Sequence, residues 1–164
     1  MFFDEDKNEK NTAAMDATDK KILNLLQANA KQNTKEIAGQ IKLTISPTFE
    51  RIKKLEQQGV IKAYVAILDR TKIGKSLMAH CQISLFKHSK ELILNFRKEV
   101  AKLPEIIRCH HVSGNYDFLL EVVVSDMNEY QRFVVEKLST VEGISNIQSS
   151  FVMEEIKEGF VYPL

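Results

Sequence analysis

Residues 45–61 read Ile45-Ser46-Pro47-Thr48-Phe49-Glu50-Arg51-Ile52-Lys53-Lys54-Leu55-Glu56-Gln57-Gln58-Gly59-Val60-Ile61, and this stretch decides how the N-terminal third folds. Ser46 suits an N-cap, and Pro47 suits the first helical position, where a missing N–H leaves nothing unpaired. Gly59 suits the left-handed residue just past a helix end. Between them Phe49, Ile52 and Leu55 recur at helical spacing and mark one side. At about 100° per residue, Pro47, Glu50, Arg51, Lys54, Gln57 and Gln58 fall on the other side. The stretch predicts a helix with an apolar back and a mostly cationic front.

Two shorter helices precede it. Asp16 is placed to cap the first, whose Ile22, Leu23, Leu25 and Leu26 cover one arc. Asn33 caps the second, with Glu36 in capping-box position and Ile37, Ala38 and Ile41 on the inner face. Beyond Gly59, the apolar residues Val60, Ile61, Tyr64, Val65, Ile67 and Leu68 predict a wing or linker strand. Three helices followed by a wing make a winged helix-turn-helix, expected over 15–61, with a linker strand and hinge over 62–75. A basic, hydrogen-bonding helix front fits the DNA major groove, where Arg can bond guanine and Gln adenine.

The charge sits where such a helix needs it. The whole chain carries a formal net charge of only +1. Residues 31–62 hold seven cations against three carboxylates. Cys81 and Cys109 are the only cysteines and form no CxxC pair, so a reducing cytoplasm is expected rather than a disulfide framework. No apolar run approaches the roughly 20 residues of a membrane helix. Met1-Phe2-Phe3 runs into Asp4-Glu5-Asp6, unlike a leader peptide. Residues 1–14 are polar and aperiodic, and a disordered lead-in is expected there.

The second half changes rhythm. Alternation from Leu77 to Phe86 predicts a strand, and Ser89 opens a helix on Leu92, Ile93, Phe96 and Val100. Ile106–Val112 and Tyr116–Val124 predict two strands around the turn Ser113-Gly114-Asn115, where positive φ is expected at Gly114 and Asn115. Asp126 and Glu129 open a second helix, and residues 144–156 predict a last strand. Strand, helix, strand, strand, helix, strand is the ferredoxin-like βαββαβ arrangement, expected over 76–164. The fold class is therefore α+β. Both helices should cover one sheet face. Met78, Phe86, Leu119 and Val123 on the other predict a homodimer formed sheet to sheet.

Cys109-His110-His111 alternates across a strand, so the three cannot easily share one ion, and no metal site is expected. No phosphate loop or nucleophile–base pattern occurs, so neither an enzyme nor a cofactor is expected.

Residues 16–61 resemble the DNA-binding domain of the Lrp/AsnC (feast/famine, leucine-responsive) transcription regulators, through Asp19-Lys20-Lys21-Ile22-Leu23 and the whole of 45–61. Cys109-His110-His111-Val112-Ser113-Gly114-Asn115-Tyr116-Asp117-Phe118-Leu119-Leu120 and Val152-Met153-Glu154-Glu155-Ile156-Lys157 resemble that family's ligand-sensing domain, and the leucine-responsive branch is the most similar. Thr44 and Ile45 depart from the family, which often has Gly or Val and then Leu before the Ser. The resemblance implies a sequence-specific regulator that contacts double-stranded DNA through Lys35, Thr44, Ser46, Pro47, Thr48, Glu50, Arg51 and Lys54. Thr48 lies beside the buried edge of the wheel. It also implies a free amino-acid effector, such as leucine or methionine, at Ser113, Gly114, Asn115, Tyr116 and Asp117. Asp117 would pair with the ammonium group, and Ser150, Phe151 and Val152 would shape the side-chain pocket. Homodimers closing into octamers are implied as well. Sirohaem decarboxylases resemble the same two-domain architecture, but the intact basic helix front favours DNA. A third reading is a sensor module that assembles with family members and whose own helix-turn-helix is dispensable.

Overall fold

The computed structural model describes residues 15–164, so the lead-in expected over 1–14 lies outside the described residues. The chain divides into two units: residues 15–66 with 158–164, and residues 67–157.

The first unit carries α1 (Ala17–Ala28), α2 (Thr34–Ile41) and α3 (Ile45–Gln57). The expected capping box at Asn33 forms, and the cap expected at Asp16 proves to be a capping box as well. Asp16 Oδ1 accepts from the N–H groups of Thr18 and Asp19 at 2.8 Å each, and Asp19 Oδ2 accepts the Asp16 N–H at 3.3 Å. Asn33 and Glu36 make the same reciprocal pair at 3.0 and 2.8 Å. These caps satisfy helix-end donors that would otherwise lack partners. Ile22, Leu23, Leu26, Ile37 and Leu55 close the small core. Removing each from water contributes roughly 1.5–3 kcal/mol. Between α2 and α3 the chain turns on Lys42, a non-glycine residue in the left-handed region at φ 59°.

α3 begins earlier than the sequence suggests. Its N-cap is Thr44, in extended conformation, and Ser46 and Pro47 both lie inside the first turn. Pro47 is tolerated at the third position because N–H groups of the first turn have no helical partner anyway. The helix ends as expected on Gly59 at φ +70°. The Gly59 and Val60 N–H groups return to the carbonyls of Glu56 and Leu55, both at 3.0 Å. The buried stripe is also turned. Thr48 is fully buried, its hydroxyl donating to the Thr44 carbonyl at 2.9 Å, whereas Phe49 is 50% exposed.

The wing strand does not form. Residues 62–69 join no ladder, and all four strands among the described residues belong to the second unit. A strand needs a neighbour with which to exchange hydrogen bonds. Tyr64 instead donates to Glu56 Oε1 at 2.8 Å, and burial together with that carboxylate pushes its hydroxyl up to about 12.

The second unit contains β1 (Leu77–Leu85), α4 (Lys90–Val100), β2 (Ile106–His111), β3 (Phe118–Val124), α5 (Met127–Glu136), a 3-10 turn at Leu138–Thr140 and β4 (Ile144–Phe151). The antiparallel sheet runs β2-β3-β1-β4, the expected ferredoxin-like order. Ala79, Cys81, Ile83, Leu85, Phe118, Leu120, Val122 and Val124 bury one face with Phe96, Val100, Tyr130 and Phe133 from the helices. β4 stops at Phe151 rather than reaching Ile156, because β1 runs out. Phe151 pairs with Ala79, and the Val152 N–H reaches the Met78 carbonyl at 2.9 Å as the last bond.

The other sheet face is not the apolar surface expected from the sequence. Met78 and Val123 are each only 8% exposed and Leu119 is half-buried, while Phe86 lies beyond the end of β1. The register places Ser150, His80, Glu121 and Arg108 in one row across all four strands, with Gln148, Gln82, Leu119 and His110 in the next. This face is largely polar, so apolar exposure is no argument for a sheet-to-sheet dimer.

Candidate functional site

In the N-terminal unit the candidate surface is the outer side of α3. With Thr48 and Leu55 buried and Ile52 beside them, the helix is rolled by roughly 30° from the orientation read off the sequence. Ser46, Glu50, Lys53 and Gln57 then face directly outward, flanked by Lys54 and Pro47 on one side and Phe49 on the other. Thr44 is exposed at the helix head and Lys35 on the first turn of α2. Among the expected DNA-contacting residues, the structure brings Thr44, Ser46, Pro47, Glu50 and Lys54 together. It withdraws two.

Thr48 has no accessible surface, so it supports the helix rather than touching a ligand. Arg51 is turned toward α1, its Nη1 donating to Asp16 Oδ2 and to Asp19 Oδ1, both at 2.7 Å. The hydrogen bond to Asp19 and then that to Asp16 raise the guanidinium pKa further. The Asp16 carboxyl is lowered, first by the backbone N–H of Asp19 and then by Arg51. One guanidinium thus clasps the capping carboxylates of α1 from α3. Arg51 is thus engaged with α1 rather than presented on the outer side of α3. Lys53 and Phe49 take its place on the outer surface, and the cue for both was the alternative helical wheel centred on Thr48.

In the second unit the turn joining β2 and β3 contains Gly114 at φ +134°; Asn115 keeps the usual negative φ, contrary to expectation. Asp117 is not a free carboxylate. Its Oδ2 accepts the Leu85 N–H at 2.7 Å, its Oδ1 lies 2.6 Å from His88 Nε2, and its backbone N–H reaches the Ile83 carbonyl at 2.8 Å. It braces the turn against the end of β1, and an ammonium group would have to compete with His88. Asp117→Ala leaves the Leu85 N–H unpaired and is expected to destabilise this unit by about 1–3 kcal/mol. Asp117→Asn, which keeps an acceptor, should recover most of that in urea denaturation.

Ser113, Gly114 and Asn115 are exposed and Tyr116 half-buried. Ser150, Phe151 and Val152 are not beside them. Asp117 sits near Ile83 and Leu85, while Phe151 pairs with Ala79 toward the start of β1. Four residues of strand separate Ile83 from Ala79, or roughly 13 Å. Ser150 and Phe151 also face opposite sides of the sheet; Phe151 meets Tyr130 edge-on at 4.9 Å, and Ser150 lies opposite His80. Cys109 and His111 share the helix-covered side, where His111 stacks on Phe118 at 4.7 Å, and His110 points away, as the alternation predicts.

Comparison with known proteins decides what these two units are. Residues 78–162 match the Lrp/AsnC ligand binding domain, and residues 15–62 match a winged helix-turn-helix DNA-binding domain. The chain belongs to the Lrp/AsnC family. Lrp/AsnC proteins are DNA-binding transcription regulators rather than enzymes, and this member carries both of their domains in order. It is 37% identical to the DNA-binding transcriptional activator DecR of Escherichia coli over 87% of this chain and 94% of that protein. It is 36% identical to the leucine-responsive regulatory protein of Haemophilus influenzae over 91% and 90%. A Neisseria meningitidis transcriptional regulator solved as a complex with L-methionine superposes with a TM-score of 0.86 at 34% identity, over 91% of this chain and 96% of that one. An AsnC family regulator from Agrobacterium tumefaciens superposes equally well, at 34% identity over 91% and 97%. No helix among the described residues is long and apolar enough to cross a membrane.

Proposed function

We propose that this Lrp/AsnC regulator is a cytoplasmic sensor of a free, apolar amino acid. On this reading residues 15–61 bind DNA, 62–75 link, and 76–164 sense the effector and assemble. Leucine and methionine lead as effectors, because relatives at 35–36% identity are named leucine-responsive and a structural neighbour was solved with L-methionine. One observation carries the reading: α3 presents Ser46, Glu50, Lys53 and Lys54 on a surface clear of its own core, seated by Arg51 on capped α1. Lysines of this surface and Lys35 take phosphates, while Ser46 and Glu50 reach base edges. Backbone N–H groups of the turn 113–115 hold the effector's carboxylate. Residues 150–152 come from a second copy, since one chain holds the two groups at different ends of β1. The working state is therefore a homodimer, closing into a larger ring such as an octamer.

The test is titration of the full chain against its own upstream DNA across a salt series, with and without leucine and methionine. Affinity should fall linearly on a log–log plot with a slope of about −0.9 per phosphate neutralised. A bound amino acid should raise the unfolding temperature with increasing concentration. Salt-insensitive binding would refute the DNA surface, and the absence of any thermal response across the apolar amino acids would refute the effector.

A further inference from the structure

Phe49 is half exposed beside the polar and charged side chains of α3, at 50% accessibility. It is not a stray. Ile45 one turn earlier is 51% exposed and Leu43 is 39% exposed, so the head of α3 carries an apolar strip along the flank of its cationic surface. The strip lies outside the core, which α3 meets through fully buried Thr48 instead. Lys53 follows Phe49 by one turn on the same side, and Glu50 and Ser46 adjoin it. Helical side chains lean toward the N-terminus, so the Phe49 ring reaches over the turn at Ile45 and Ser46. That is the end of a recognition helix that meets base edges.

Within the major groove only thymine offers a methyl group, at its C5. A phenyl edge against that methyl withdraws both from water. We infer that Phe49 is a specificity-determining residue of this regulator, selecting thymine in each half-site by contact with its 5-methyl group. A second copy docking on the strip is the competing occupant. The lysines beside Phe49 and the local excess of cations favour DNA, because they would repel the same surface of another copy.

The inference rests on DNA binding by α3, which the same experiment measures separately. The full chain first selects its preferred duplex from randomised DNA. Each thymine of that duplex is then replaced in turn by deoxyuridine, which keeps the Watson–Crick face and removes only the methyl. For the unsubstituted chain, one position per half-site should lose about fourfold in affinity, the change that corresponds to one buried methyl. F49A should weaken binding to the thymine duplex and be indifferent to deoxyuridine at that position, so the two losses do not add. F49L, still apolar, should keep part of the discrimination, and thermal unfolding of both variants checks that the domain is intact. No deoxyuridine sensitivity in the unsubstituted chain overturns the inference, as does sensitivity that persists in F49A. So does a change of oligomeric state in F49A with methyl discrimination unaltered, which would assign the strip to a second copy. Loss of all binding in the unsubstituted chain would instead strike at the reading of α3 itself.

Discussion

Truncating Phe118 to alanine is expected to destabilise the ligand-binding domain by about 3–5 kcal/mol, a large fraction of what a domain of this size possesses. Phe118 is 1% exposed and stacks on Phe96 with ring centroids 4.2 Å apart and planes 28° from parallel. His111 lies against it at 4.7 Å, so the ring joins α4, β2 and β3 at one point. Alanine leaves a cavity that these rings cannot refill, since Phe96 and the strands are held by other contacts. The effect should reach function, because Phe118 directly follows Asp117, the brace of the Gly114 turn. Urea denaturation followed by circular dichroism measures the loss. Phe118→Leu, which keeps most of the volume, should cost much less. A penalty below about 1 kcal/mol for alanine would mean that the stack is not the anchor of this end of the sheet.

The second large effect concerns Arg51 and has a sign that separates two explanations. Arg51→Glu places a third carboxylate beside Asp16 and Asp19 and is expected to weaken DNA binding at least about tenfold. That loss alone would also follow if Arg51 touched DNA. Asp19→Ala distinguishes them. Removing a negative charge should strengthen attraction to phosphates if nothing else changes. The clasp predicts the opposite, a weakening of about three- to tenfold, because Arg51 loses one of its two ion pairs to α1. Asp19→Ala with unchanged or improved affinity would sink the positioning role of Arg51. Fluorescence anisotropy at fixed ionic strength is sufficient to decide.

The order of elements, the cap at Asp16, the capping box at Asn33 and the glycine that ends α3 were legible in the sequence. Each depends on side chains and backbone within about four residues of one another, which is the reach of a helix turn. What was not legible shares a different cause. Arg51 is 35 and 32 residues from its partners Asp16 and Asp19, and nothing local in the sequence announces that pairing. Thr48 is buried where Phe49 is half exposed, and a hydrophobicity wheel favours the phenylalanine for the inner side. The fold chose threonine, whose hydroxyl finds a partner one turn back. No wing strand forms because apolar residues after Gly59 report a preference for extended chain but supply no neighbour. The open sheet face failed because Met78 and Val123 are covered, which no strand pattern reveals. The Lrp/AsnC resemblance identified the turn at Gly114 but did not disclose that Asp117 is already engaged there.

The distance along β1 between the Gly114 turn and residues 150–152 has a consequence for how the regulator responds to supply. If one amino acid touches both groups, an isolated chain is deaf to it, and the effector acts as glue between copies. Sensitivity then belongs to the population rather than to the molecule. The dose at half response should drift downward as the regulator becomes more abundant, and a cell could retune its threshold simply by making more or less of the protein.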